Sequence, residues 1–274
     1  MASKADQKNE ARQKREAAQA AAAAAAKRNR NLQVLGGVIF SALVVVVLVV
    51  LLGSSGSKKG PTGLGEGSEG QVAGVAETKT LLTGIEQNGF ALGKKDAPVT
   101  IIEFLDVQCP FCKTHQLDEQ PTVIKELVRT GKAKLRAAPI ALPQMGEDSE
   151  AGRIVAARLA DKDKAWDFLN LFYFNQGDEA TGYVTNDYLT KLVGAIPGTT
   201  SADADRASTP EVDAKLKDID ELQTALNVSG TPSFAIGKTG DDYSTYQLLT
   251  LNGGGSVADQ IISAVNDLSK RSGV

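Results

Sequence analysis

Apolar residues fall into three patterns along this chain, and each predicts a different kind of element. Val34 to Leu52 is uncharged and almost wholly aliphatic. At helical rise such a segment spans about 28 Å, close to a bilayer core. Val99 to Leu105 is a short run that is apolar on both faces apart from Thr100 and Glu103, as a central strand should be. Ala133 to Ala138 is a second such strand. A helical stretch joins the two, so the pair is expected to be parallel. Elsewhere apolar residues recur at every third or fourth position, the helical period. Ile154, Val155 and Leu159 mark a helix over 148–160, and Trp166, Leu169, Phe172 and Tyr173 one over 162–175. Asn186 can cap a third, with Leu189, Leu192, Val193 and Ile196 facing inward. Val212, Leu216, Ile219, Leu222 and Leu226 predict a fourth, and Val257, Ile261, Val265 and Leu268 a last one. Short strands are expected at Asn88–Leu92, Ser233–Ile236 and near Tyr246–Leu251. The helix that starts at Cys109 should run to about Thr130 and stop at Gly131. Pro121 inside it predicts a kink or a break. The order is strand, helix, strand, helical block, two strands and a helix, an α/β arrangement.

Charge and composition divide the rest. Residues 1–33 are basic and rich in alanine, with Lys4, Lys8, Arg12, Lys14, Arg15, Lys27, Arg28 and Arg30 before the apolar segment. That excess places the N-terminus in the cytoplasm and makes 34–52 an uncleaved single transmembrane helix. The arm is expected to act as a topology signal only, the alternative being contact with anionic headgroups of the lipid bilayer or with another cytoplasmic partner. Residues 53–80 are rich in Gly and Ser and lack aromatics, which predicts a flexible tether. Residues 81–274 should fold as one domain carrying a helical insertion at about 144–210. The chain has a net charge of −3, and its basic residues cluster before the membrane segment. The exported part is therefore acidic, which argues against nucleic acid as a partner.

Only two cysteines occur in 274 residues, Cys109 and Cys112. They stand in a C-x-x-C spacing where a strand gives way to a helix. That is the thioredoxin-type redox arrangement. The free N–H groups of a first helical turn favour a thiolate over a thiol at the first cysteine. Pro110 suits that turn because its missing N–H would be unpaired there. Phe111 adds apolar bulk and no charge. Zinc needs about four ligands, and the single histidine, His115, lies on the same helix. A purely structural disulfide would close too short a loop to constrain the unfolded chain much. No metal, nucleotide or flavin is expected, only a redox-active disulfide.

These residues resemble a known family. Gly89-Phe90-Ala91-Leu92-Gly93, Asp96-Ala97-Pro98-Val99-Thr100, Glu103-Phe104 and Cys109-Pro110-Phe111-Cys112 are similar to the DsbA-like thiol–disulfide oxidoreductases. Gly230-Thr231-Pro232-Ser233-Phe234 resembles that family's cis-proline segment, and 168–176 with Ile196-Pro197-Gly198 its helical insertion. The resemblance implies a thioredoxin-like fold with an inserted helical domain, here preceded by a transmembrane helix and a linker. It implies an exposed nucleophile at Cys109 and a buried resolving thiol at Cys112. It makes Glu103 a buried acid that relays protons, and the Thr231–Pro232 bond cis and beside the sulfurs. Thr231, Pro232, Pro110 and Phe111 are the expected substrate-facing residues. The substrates are cysteine-containing exported proteins, and a membrane thiol oxidase or reductase is the redox partner. The family's best-known oxidases carry histidine where this chain has Phe111, which leaves the direction open between oxidase and reductase or isomerase. An anchored peptide-binding holdase is the reading outside enzymes. His115 is expected on the helix surface and Asp106 as a loop cap. Trp166, Phe168, Phe172 and Tyr173 are expected in the insertion core.

Overall fold

The computed structural model describes residues 71–253 and 255–272. The expected arm, Val34–Leu52 and most of the linker lie outside these residues. Among the described residues no helix is long and apolar enough to cross a membrane.

The centre is β3, Val99–Leu105, whose seven residues are all buried. It pairs in parallel with β4, Ala133–Pro139, and antiparallel with β5, Ser233–Lys238. Two short strands, β1 at Gln87–Asn88 and β2 at Ala91–Leu92, extend the sheet beyond β4. β6, Gln247–Leu248, closes the other edge, giving the order β1-β2-β4-β3-β5-β6. Two strand expectations are corrected here. The run from Asn88 is split into a hairpin, because Gly89 at φ 58° turns the chain. The strand expected to reach Leu251 pairs over two residues only, as a 3₁₀ turn at Tyr243–Thr245 delivers the chain late to the sheet edge.

Helix α1, Val75–Leu82, precedes the sheet and begins inside the stretch expected to be tether. Thr78 Oγ1 donates to Asn170 Oδ1 at 2.7 Å, and Ala73 N to Asn175 Oδ1 at 2.9 Å. These bonds fix α1 to helix α4, Ala165–Phe174, so the folded part begins before residue 81. Between β3 and β4 runs α2, helical over 110–128. It is not broken at Pro121. Wide π turns at His115–Glu119 and Ile124–Val128 interrupt its α-helical pieces. Pro121 lacks the N–H that a regular turn would use, and Gln120 N bonds His115 O, five residues back.

The insertion between β4 and β5 holds α3, Gly146–Ala160, then α4, and α5, Asn186–Gly194. Thr185, not Asn186, caps α5, its side chain accepting from Tyr188 N. Helix α6, Pro210–Ala225, leads back to the sheet, and α7, Val257–Ser272, follows it. Trp166, Phe168, Phe172 and Tyr173 are buried as expected. Trp166 Nε1 donates to Phe90 O at 2.8 Å, joining the insertion to the β1–β2 hairpin. Gly152 of α3 has no room for a side chain: a Cβ would meet Val107 Cγ2 at 2.6 Å. That close approach seats α3 against the loop that follows β3.

Candidate functional site

The sheet register assembles the site. β3 and β5 are antiparallel, with Phe104 opposite Ser233. The chain leaving β3 and the chain entering β5 therefore meet at one end of the sheet. The first carries Cys109 and the second Thr231–Pro232. That peptide bond is cis. Cys109 Sγ donates to Thr231 O at 3.4 Å.

Cys109 is also the N-cap of α2, in extended backbone geometry, with Pro110 in the first turn. Its sulfur accepts the Cys112 N–H at 3.4 Å, taking the place that an oxygen holds in an ordinary cap. Both cysteines are unbonded, so this is the dithiol form. The Cys109 thiol is lowered to about 6. A hydrogen bond from the Cys112 thiol is the largest cause. The N–H groups of Cys112 and Phe111 add to it, against partial burial. Burial instead pushes Cys112 well above its ordinary value, and a Cys109 thiolate beside it adds to the rise. The two sulfurs thus differ in ionisation, Cys109 favouring the thiolate and Cys112 the thiol.

Two expectations are corrected here. Cys109 is not exposed: 3 % of the residue is accessible, because Thr231 lies against its sulfur. The exposed group of the turn is Phe111, at 74 %. His115 is not on the surface: it is 2 % exposed, with the Phe234 ring edge-on at 4.8 Å.

Glu103 is fully buried at the sheet centre and does not face water. Gln116 Nε2 and Gln120 Nε2, from the α2 face that also carries Cys112, each donate to one of its oxygens at 2.8 Å. Burial raises its pKa, and His115 and the two amides pull it back only in part. Tyr173 from α4 is buried beside this group. Burial and the charges of Cys112, Glu103, Asp106 and Cys109 hold its hydroxyl well above the usual value.

Asp106 caps the loop as expected and does more. Its carboxylate accepts Gln108 N and Leu142 N, each at 2.8 Å, and the Ser149 hydroxyl. Tyr173 donates to Asp106 O at 3.0 Å, and Gln176 Nε2 to Val107 O at 2.7 Å and Cys109 O at 3.2 Å. The insertion therefore holds the active loop by its backbone.

Residues 86–248 match the thioredoxin family. The chain belongs to that family. Among its relatives, the probable disulfide bond formation protein D of Bacillus cereus is 32% identical over 148 residues, 52% of this chain and 67% of that protein. Disulfide bond formation protein D of Bacillus subtilis is 29% identical over 152 residues, 53% of this chain and 66% of that one. The chain thus spans about two-thirds of these curated relatives. Oxidised BdbD from Bacillus subtilis has the same fold, with TM-score 0.53 and 21% identity over 68% of this chain and 97% of that one. Pseudomonas aeruginosa DsbA2 follows at 0.51 and 19%, over 69% and 98%. This thioredoxin-family chain is a thiol–disulfide oxidoreductase with a DsbA-like fold.

Gln116, Gln120 and Gln176 escaped the sequence reading, and Tyr173 was expected in the insertion core without its bond to the active loop. For the glutamines a signal existed: Cys112, Gln116 and Gln120 recur every fourth residue on the face turned toward an apolar strand. Amides on such a face need a polar partner, and Glu103 is the one charged residue of that strand.

Proposed function

We propose that this oxidoreductase is anchored to a membrane by Val34–Leu52 and oxidises cysteines of exported proteins outside the cytoplasm. The charge asymmetry around the apolar segment supports the topology. The observation that carries the direction is the stabilised thiolate of Cys109. A thiolate that is stable once released makes its disulfide easy to reduce, hence oxidising. A substrate thiolate attacks Cys109 Sγ of the disulfide, the Cys109–Cys112 bond breaks, and Cys112 leaves and takes up a proton. A second substrate thiolate attacks the substrate sulfur of the mixed disulfide and releases Cys109 as thiolate. The substrate gains a disulfide, and two electrons rest on the protein dithiol. A membrane thiol oxidase returns the dithiol to the disulfide. Glu103 exchanges the proton with Cys112, and Thr231, Pro232, Pro110 and Phe111 face the substrate.

Phe111, standing where the family's best-known oxidases carry histidine, supports a milder oxidant, and the reductase or isomerase reading rests on it. Equilibration of the couple with glutathione separates the two. A potential well above about −200 mV supports the oxidase, and one near the roughly −270 mV of thioredoxin overturns it. A Cys109→Ser, Cys112→Ser protein that retained client-folding activity would overturn both in favour of a holdase.

A further inference from the structure

Glu103 has no direct way to water. It is 0 % exposed, between two amides that only donate to it. A buried acid that gains and loses a proton in every cycle needs a second group that reaches solvent. The structure holds one. His115 Nε2 lies 3.7 Å from Glu103 Oε1, and His115 Nδ1 lies 3.9 Å from Glu119 Oε2. His115 is 2 % exposed and Glu119 25 %. The three groups form a line from the sheet centre to the surface. The π turn His115–Glu119 provides the last step of that line.

The hydrogen bonds fix the resting tautomer. An ionised Glu103 can only accept, so the Gln120 amide turns its NH₂ to Glu103 and its oxygen to the ring. His115 Nε2 lies 2.9 Å from that oxygen and therefore carries the hydrogen. Nδ1 is left as a buried lone pair with no hydrogen-bond partner. Glu119 Oε2 meanwhile accepts Ala258 N from α7 at 2.8 Å, which holds its carboxylate in place. The other elements packed here add one ionisable neighbour, Tyr173 of α4, which faces Glu103. β5 contributes the Phe234 ring, and Asp259 of α7 and Asp118 of α2 are exposed.

We propose that His115 and Glu119 conduct protons between Glu103 and solvent. This rests on the relay role proposed for Glu103. Inward, Glu119 passes a proton to Nδ1, and the ring gives its Nε2 proton to Glu103. His115 ends neutral with the hydrogen on Nδ1, and one proton has moved in. Outward, Glu103 returns a proton to the vacant Nε2, and Nδ1–H is released through Glu119 to water. Each half-reaction leaves the tautomer that the other half-reaction uses. Reduction of the disulfide needs the inward step for Cys112, and reoxidation needs the outward one. His115 and Glu119 are positioning residues that act through Glu103.

The test is the rate at which oxidised glutathione reoxidises the reduced protein between pH 5 and 8. His115→Ala and Glu119→Gln are compared with Glu103→Gln, and Cys109 alkylation checks that the site is folded. Glu119→Gln keeps an acceptor for Ala258 N and serves if His115→Ala does not fold. The expected result is a loss of at least about tenfold in each variant, the low side of what positioned proton transfer contributes. Added imidazole, filling the space left in His115→Ala, should restore that rate. Slow Glu103→Gln with wild-type His115→Ala and Glu119→Gln overturns the conduit and leaves the relay standing. Slow His115→Ala that imidazole does not restore makes His115 a packing residue and also overturns it. Unchanged rates in all three overturn the relay itself.

Discussion

Cys109 Sγ and Thr231 O are 122 residues apart in sequence and 3.4 Å apart in space. The antiparallel register of β3 and β5, with Phe104 facing Ser233, creates that proximity. The contact holds the Thr231–Pro232 loop against the sulfur, so the loop backbone stands beside the reacting group.

Alkylation should separate the two thiols. Cys109 of the reduced protein is expected to react with a midpoint at about pH 6, and Cys112 to stay protonated far above it. Mass spectrometry of protein quenched along a pH series measures both. Cys112→Ser should accumulate mixed disulfides with clients through Cys109, and Cys109→Ser almost none. Earlier alkylation of Cys112 reverses the roles.

The pH dependence of stability should carry the mark of Glu103. Its folded pKa is raised by burial. Such a group favours folding below its unfolded value of 4.5, and that contribution is lost as pH rises through the folded value. Asp106, also raised by burial, acts in the same sense. Urea midpoints of the protein should therefore fall as pH rises above 4.5. Glu103→Gln should flatten that fall, and an equal slope in the variant would count against a buried ionisable Glu103.

Asp106 should be costly to remove. Asp106→Ala leaves Gln108 N, Leu142 N and the Ser149 hydroxyl without their acceptor in a buried site. Burying donors unpaired costs about 1–3 kcal/mol each before relaxation, so a loss of about 2–4 kcal/mol is expected in urea unfolding. Ser149→Ala removes one donor and should cost less. A loss below about 1 kcal/mol for Asp106→Ala would mean that the loop re-forms around water.

The chain order of strands and helices was legible because apolar runs and helical periods alternate cleanly from Val99 onward. The cysteine pair was legible because no other cysteine competes with it. His115 was not. Its burial comes from Phe234 across the sheet and from α7, which meets Glu119 at Ala258, contacts far away in sequence. The wide turn at His115–Glu119 also departs from the helical period on which a surface assignment rests. α1 was missed because, beside buried Leu82, much of its hold on the domain is polar. Thr78 meets Asn170 and Ala73 meets Asn175, and no hydrophobic pattern announces such bonds.

Phe111 should matter for clients and not for the fold. At 74 % exposure its ring is in water, so its removal uncovers no cavity and leaves no polar group unpaired. Surface changes of this kind stay within about 0.5 kcal/mol. Phe111→Ser should therefore unfold at the same urea concentration as the parent. Its N–H also lowers the Cys109 pKa, and that group belongs to the backbone, so the substitution retains it. The alkylation midpoint should stay at about 6. The substrate-facing role proposed for Phe111 makes its ring an anchor for the client, and losing such an anchor weakens binding. Turnover of a reduced, unfolded client should then show a raised KM with kcat nearly unchanged, since the ring contributes to ground state and transition state alike. Equal KM values for Phe111→Ser and the parent would remove Phe111 from the substrate surface. A shifted alkylation midpoint would show instead that the ring acts on the thiolate.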